Sequence, residues 1–575
     1  MLSLLSVTLA LPQKVDNVLS VIVAGYILSI PVVLICDNFV FGWTGERLWS
    51  SVFRSGITSL SAVLPFFGTG SIILLLMIVL ICVATPAVAW ACTRWILEDF
   101  KGRSSTITTG APIVVYLASV VVLLVHSLGA ANGFGIATDT RSSAHPFHVF
   151  GLLKTQTVGP AISAIVEEHS NSASDAYRWR DRRLRLAQAI RLQQNKRLPD
   201  VVMVVIESMR SELVASDIMP NLAALSEEST HCKYHFSGGN ATNHGVFSLV
   251  TGLEPVWFNT PQRSDPGMYR WFKSIGYELG FFAGANDWED FRMDGFIRPE
   301  LFDEFHASAR NGISSDRRAV ELASAFLSRR STTTELVPVS TPRLAIVYLY
   351  GTHAMYQSYP DDQIDRPAAD NRFPFPYPSR MRDLVWNRYR NSARTVDRLI
   401  EPLLVRDRVI VAVGDHGEAF LEDGTIGHGI RLSRYQNMTA AVLHFPGEPA
   451  KVLERPTCHA DVLPTLFSFL DVKLSDPNVI DGASLIRATD ETLAERTFCV
   501  RNYLHPDYGL IGPWSQDPSR PFAYRFQASI SNGDATALNG IDEEGNEDNT
   551  ETLENQAAQV LKWKQKLYRS EPNTN

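Results

Sequence analysis

Several side chains that can hold a metal ion or move a proton stand directly behind apolar runs. Glu207 follows "VVMVVI" (201–206). His353 comes three residues after "LAIVYLY" (344–350). Asp415 and His416 follow "VIVAVG" (409–414), and His428 lies a short way on, in "GHG" (427–429). A carboxylate at the end of a strand often serves only as the N-cap of the next helix. Several in one chain carry more weight, because neighbouring strands of one sheet bring their ends together. Carboxylates combined with imidazoles suit a hard to borderline divalent cation such as manganese, magnesium or zinc.

Such groups need something to attack with. In "FSGGNATNHGVFSLVTG" (236–252) a Gly-rich polar turn carries Thr242 and then enters an apolar helix. A hydroxyl there lies near a helix N-terminus, where backbone N–H groups favour an anion. A divalent cation would lower its pKa and make it nucleophilic. Two plainer roles compete. Thr242 can cap the helix, and Asn240-Ala241-Thr242 is also a glycosylation sequon.

The elements that must position these residues begin at Leu198. The runs 201–206, 279–284, 344–350, 409–413 and 440–445 read as buried strands. Between them, 219–229, 315–330 and 387–404 carry helical patterns. This alternation predicts an α/β domain with a largely parallel central sheet flanked by helices. In such sheets the chemistry gathers beyond the C-terminal ends of the strands. The acidic stretch 542–556 reads as a surface turn before a final helix.

The 575 residues exceed one ordinary core. Three stretches, 18–36, 71–92 and 111–131, are long and apolar enough for transmembrane helices. The expected layout is a membrane domain over 1–131, a basic, amphipathic linker over 132–198 and a large domain over 199–575. Arg94, Lys101 and Arg103 in one short loop put that loop and the N-terminus inside, and everything after about residue 132 outside. The basic run 177–197 reads as a solvated linking helix or as a helix lying on anionic headgroups. The net charge of −8 gives no reason to expect a nucleic-acid partner. Six cysteines without CxxC spacing support neither a zinc cluster nor a disulfide framework.

The order of these motifs resembles the sulfatase/alkaline-phosphatase superfamily. Glu207 follows the first strand, "MPNL" (219–222) opens a helix, and a Gly-Asn-x-Thr turn comes next. "IGYELGFFAG" (275–284), His353, "GDHGE" (414–418), "GHG" (427–429) and "HADVLPTL" (459–466) complete the series. The layout of membrane helices before this domain is similar to the membrane-anchored branch of lipoteichoic-acid synthases and of phosphoglycerol and phosphoethanolamine transferases. That branch also holds sulfatase-like inner-membrane regulators. The resemblance implies one divalent metal ion held by Glu207, Thr242, Asp415 and His416. Thr242 is then the nucleophile that takes a covalent phospho-group, and His353 and His428 bind phosphate or assist proton transfer. No Cys/Ser-x-Pro-x-Arg signature lies near residue 242, so sulfate-ester hydrolysis is not expected. The implied enzyme is a phosphotransferase of the bacterial inner membrane with a periplasmic catalytic domain. It would move a phospholipid headgroup to an envelope glycan or lipid acceptor. The alternative is a catalytically weak or inactive membrane protein that binds lipid and regulates envelope synthesis.

Overall fold

In a computed structural model of the chain, the residues described are 182–563, apart from 195, 287, 309–311, 330–340, 376, 505–507, 513–522, 530–533, 543, 546–557 and 559. The three expected membrane spans, 18–36, 71–92 and 111–131, lie outside them. Among the described residues no helix is long and apolar enough to cross a membrane.

Eight strands make the central sheet. They are Val201–Ile206 (β1), Thr230–Cys232 (β2), Glu278–Ala283 (β3), Glu304–Ala307 (β4), Arg343–Leu349 (β5), Val409–Gly414 (β6), Ala441–His444 (β7) and Lys451–Leu453 (β8). Their spatial order is β8-β2-β7-β6-β1-β5-β3-β4. β7 runs antiparallel to both of its neighbours, while the other pairs are parallel. The sheet expected to be largely parallel is therefore mixed, with one reversed strand. An apolar run such as 440–445 records burial on both faces but not direction. β6 and β7 are consecutive and adjacent, so they can pair antiparallel without the crossover that parallel neighbours need.

Every residue of β1, β5 and β6 is buried, so helices must cover both faces. Seven helices matter here: Arg182–Ala187 (α1), Pro220–Glu227 (α2), Thr242–Thr251 (α3), Gly267–Ser274 (α4), Ile313–Ser328 (α5), Arg382–Ile400 (α6) and Val462–Phe469 (α7). On one face Met203, Val205, Ile346, Tyr348, Val411 and Val413 join a core with Phe247 of α3, Trp271 of α4 and Phe467 of α7. Phe281 of β3 belongs to the same core. Its neighbour Phe282 points the other way and meets Phe326 of α5 at 5.5 Å between ring centroids. α6 reaches α2 on that second face, where the Asp397 carboxylate accepts from the Asn221 and Leu222 amides at 2.9 Å each. These contacts cap a helix start that has Pro220 at its first position and no side-chain cap of its own.

Among the described residues, packed structure is already present at Arg182, ahead of the expected boundary at 199. Leu186 of α1 is buried, and Arg182 pairs with Asp481 at 2.7 Å while lying over the Trp257 ring. Ile190–Arg191 pairs with Val472–Lys473. The described end of the basic run is thus docked on the domain. A second sheet escapes the sequence reading: Phe498–Arg501 (β9), Tyr508–Ile511 (β10), Ala523–Ser529 (β11) and Asp534–Ile541 (β12) form an antiparallel meander.

Candidate active site

Strand register assembles the site. Ile206 is aligned with Leu349 on one side and Gly414 on the other. The next residue of each strand therefore leaves the sheet at the same edge, and Glu207 and Asp415 emerge side by side. One step back in register, Val205 is opposite Tyr348. The Tyr348 hydroxyl donates to the Glu207 carboxylate and lies 3.1 Å from Asp415 Oδ2. Asp415 Oδ1 accepts from the amides of Ser208 and His416, both at 2.8 Å. Ser208 takes a φ of 55° to present its amide there, a conformation that non-glycine residues seldom adopt.

His416 completes the cluster. Its Nδ1 lies 2.8 Å from the Gly417 carbonyl and, as donor to it, leaves the lone pair on Nε2. That nitrogen is 3.1 Å from Glu207 Oε1, 3.5 Å from Asp415 Oδ2 and 3.4 Å from Thr242 Oγ1. Glu207 is 2 % exposed, and Asp415 and His416 are 0 % exposed. Buried lone pairs facing one another at these distances repel unless a cation joins them. Two carboxylates and an imidazole nitrogen fit a divalent cation, and their ligand atoms lie within 4.8 Å of one another.

Thr242 is the first residue of α3. Ala241 occupies the N-cap with extended backbone and makes no side-chain cap bond, while Asn243 Oδ1 accepts from the His244 amide at 2.9 Å. The Thr242 hydroxyl is therefore free of capping duty and points at Glu207 Oε2, 3.2 Å away. The sequon is excluded in the folded domain, because Asn240 is fully buried and its amide nitrogen donates to the Arg431 carbonyl at 3.0 Å. Burial divides the group: Glu207, Asp415 and His416 are inaccessible, whereas Thr242, His353 and His428 are only half-buried.

His428 Nδ1 is held by Glu418 Oε2 at 2.7 Å, and the Tyr356 hydroxyl donates to Glu418 Oε1 at 2.6 Å. Burial would push the Glu418 carboxyl up, but the charge and hydrogen bond of His428 outweigh it and hold it below the usual range. His353 stacks on Tyr350 at 4.4 Å and meets the His428 ring edge-on at 5.4 Å. Burial, reinforced by His428, lowers the His353 pKa to about 4. Glu207, His353 and His428 form a second group that could hold an ion. The Ser208 hydroxyl bridges the two halves, 3.2 Å from Glu207 Oε1 and 3.4 Å from His428 Nδ1.

Residues 199–472 match the family model described as Sulfatase. This is a sulfatase-family domain. The inner membrane protein YejM of Salmonella typhimurium is 25% identical over 272 residues, which is 44% of this chain and 38% of that protein. A Haemophilus influenzae protein is 25% identical over 137 residues, 23% of each chain. The chain thus spans less than half the length of these curated relatives. Solved structures similar to it include the integral membrane lipooligosaccharide phosphoethanolamine transferase A of Neisseria meningitidis (14% identity, TM-score 0.48, covering 82% of this chain and 86% of that one). Another is an alkaline phosphatase superfamily protein of Vibrio parahaemolyticus (14%, TM-score 0.45, 72% and 98%).

The sulfatase domain brings together all six residues singled out in the sequence: Glu207, Thr242, His353, Asp415, His416 and His428. Sequence reasoning missed three supports. Tyr348 sits inside an apolar strand and reads as core; the signal was its place one residue inside the strand end. Glu418 was visible in "GDHGE" but had no partner until the turn after β6 folded His428 back onto it. Ser208 has no sequence signal, since its position depends on a left-handed backbone. α3 also comes unusually close to the β6 loop. A Cβ on Gly245 would lie 2.1 Å from the Asp415 carbonyl oxygen. Within a helix, Gly→Ala normally stabilises by about 1 kcal/mol. Gly245→Ala in the sulfatase domain is instead expected to lower the melting temperature, as overpacking costs about 1–3 kcal/mol. A melt equal to or above wild type would show that α3 can move away.

Proposed function

We propose that the protein is a metal-dependent phosphotransferase that moves a phospholipid headgroup, phosphoglycerol or phosphoethanolamine, to an extracytoplasmic acceptor through a phospho-threonine intermediate. The observation that carries this reading is the half-buried Thr242 hydroxyl at the start of α3, uncapped and directed at Glu207 and His416. Glu207, Asp415 and His416, with Thr242, would hold one divalent ion, manganese, magnesium or zinc, which supplies positive charge where phosphate oxygens gather.

The chain's own residues account for the rest. In the first step the Thr242 oxygen bonds to the donor phosphorus and the bond from phosphorus to the diacylglycerol oxygen breaks. The threonine proton passes to the carboxylate side, where Glu207 already accepts from that hydroxyl. Diacylglycerol leaves as an alcohol with a proton taken from His428, whose ring charge is balanced by Glu418. In the second step His428 removes the proton of an acceptor hydroxyl, whose oxygen bonds to phosphorus while the bond from phosphorus to Thr242 Oγ1 breaks, and Oγ1 takes back the proton held by Glu207. His353 is kept neutral by burial and donates from Nδ1 to the Ala354 carbonyl at 2.8 Å, so its Nε2 lone pair can accept from the acceptor hydroxyl and orient it. Because position 242 is threonine and no sulfatase nucleophile signature surrounds it, sulfate-ester hydrolysis is not proposed.

The acceptor is an envelope glycan or lipid, and the protein sits in the bacterial inner membrane with residues beyond 131 in the periplasm. The apolar stretches 18–36, 71–92 and 111–131 support this placement, as does similarity to a relative named as an inner membrane protein. A periplasm-active reporter fused after Ala131 should be active and a cytoplasm-only reporter silent. The opposite pattern would reverse the topology.

The chemical test uses the detergent-solubilised chain incubated with phospholipid and metal, then quenched. Mass added at Thr242 and release of diacylglycerol are expected. If neither occurs, and the Thr242→Ala variant fully complements a deletion strain, the transferase reading fails and a lipid-sensing role replaces it.

A further inference from the structure

Close to Thr242, three guanidinium groups gather round one phenyl ring. Arg263, Arg292 and Arg501 lie 5.4, 5.8 and 5.9 Å from the Phe258 centroid. His244, two residues along α3 from Thr242, sets its ring edge-on to the same phenyl at 4.8 Å. Arg501 is tied to the turn that presents the nucleophile. Its amide donates to the Gly238 carbonyl at 3.0 Å, and its carbonyl accepts from the Asn240 amide at 3.1 Å.

Like charges held this close repel, and the repulsion is relieved when an anion joins them. The hydrogen-bonding groups point the same way. Arg501 Nε and Nη1, Arg263 Nη1 and His244 Nδ1 are buried with no hydrogen-bond partner, and His244 is 2 % exposed. A buried donor left without a partner costs stability, and more when it is charged. Burial, then Arg501 and Arg292, holds the His244 pKa far below its ordinary value. Its ring is therefore neutral and can donate without adding to the charge. Asp294 is the acidic group whose charge acts on Arg263. Tyr503, 6.1 Å from the His244 ring, forms an aromatic wall beside the cluster.

We propose that Arg263, Arg501 and His244 form a second anion site, which holds a phosphate group of a substrate other than the phosphate attacked by Thr242. Guanidinium forks match phosphate oxygens in pairs, and the adjacent rings suit the carbon frame that carries the phosphate. The assignment to a substrate rests on the phosphotransfer reading, but binding of phosphate here does not require turnover.

The experiment titrates inorganic phosphate against thermal unfolding of the full chain in detergent. It compares wild type, Asp415→Asn, and Asp415→Asn combined with Arg263→Gln and Arg501→Gln. Phosphate should stabilise both wild type and Asp415→Asn, because the second site does not use the metal ligands. Adding the arginine substitutions should weaken phosphate binding by about tenfold or more for each guanidinium, since a charge-assisted hydrogen bond contributes about 1.5–3 kcal/mol. Should that variant not fold, Arg501→Lys in the Asp415→Asn background keeps the charge, loses the fork, and should bind about tenfold more weakly. Stabilisation of wild type but not of Asp415→Asn overturns the second site and leaves the phosphotransfer reading standing. So does equal phosphate binding with and without the arginines. Competition then separates two sources of the phosphate. Displacement by a soluble hexosamine phosphate assigns the site to the acceptor, whereas displacement by phosphatidylglycerol vesicles alone overturns the proposal, because that donor carries a single phosphate, the one Thr242 attacks. Displacement by neither overturns the proposal. Absence of phospho-threonine with phosphate binding intact would instead refute the transferase reading alone.

Discussion

Thr242→Ala is expected to lower turnover of a phospholipid donor by on the order of 10⁴–10⁶-fold, the scale of loss when a covalent nucleophile is removed. The fold should stay intact for a specific reason. Ala241, not Thr242, occupies the N-cap of α3, and no side-chain cap bond exists there to lose. The threonine hydroxyl instead spends its hydrogen bond on Glu207, at 3.2 Å. A melting temperature within a degree or two of wild type, with activity gone, is therefore the expected pair of results. Thr242→Ser keeps the hydroxyl but loses the methyl group that restricts its rotamers. A few tenths of an ångström of misplacement should cost about tenfold in kcat, because nucleophile geometry dominates such steps. Rates are read as diacylglycerol released, with mass analysis of residue 242 as the second measurement. Turnover by Thr242→Ala within about tenfold of wild type would remove Thr242 from the chemistry and shift attention to a water molecule activated at the same cluster.

Much of this site was legible because three strands are apolar apart from Arg343 at the start of β5. β1, β5 and β6 need burial on both faces, so they had to be central, and parallel neighbours align their C-terminal ends. Glu207, His353, Asp415 and His416 follow those ends, and proximity in space came with the pattern. The sulfatase family match over 199–472 bears out the resemblance read from the same motifs. Other features depend on information that periodicity lacks. The reversal of β7 is a property of its connection, not of "AAVLHF". Tyr348 alternates correctly as a core residue, and only register reveals that its hydroxyl reaches two carboxylates. Whether Thr242 caps α3 turned on one residue of helix start, finer than sequence patterns resolve. The meander β9–β12 has mixed composition without regular alternation, yet its first strand ends in Arg501, bonded to the turn that precedes Thr242.

Asp415→Asn is expected to abolish the stabilisation that a divalent cation confers, without destabilising the metal-free protein. In wild type the Glu207 and Asp415 carboxylates share the Tyr348 hydroxyl and both face His416 Nε2. With no cation present, two adjacent carboxylates raise the energy of the fold, since like charges in a buried site interact strongly. A cation that binds the folded state relieves this and stabilises by mass action, by about 2.7 kcal/mol at a hundred times its dissociation constant. Asparagine keeps the oxygen that accepts from the Ser208 and His416 amides at 2.8 Å, so the loop behind β6 stays anchored. It removes one charge, and with it most of the attraction for the ion. The two proteins should therefore change order. In chelator, Asp415→Asn should melt at or above wild type; with saturating manganese or zinc, wild type should melt well above Asp415→Asn. Melts of the full chain in detergent, with and without each ion, read this directly. Equal metal shifts in the two proteins would exclude Asp415 as a ligand. A variant that melts far below wild type in chelator would mean that its carboxylate charge stabilises the fold without any metal.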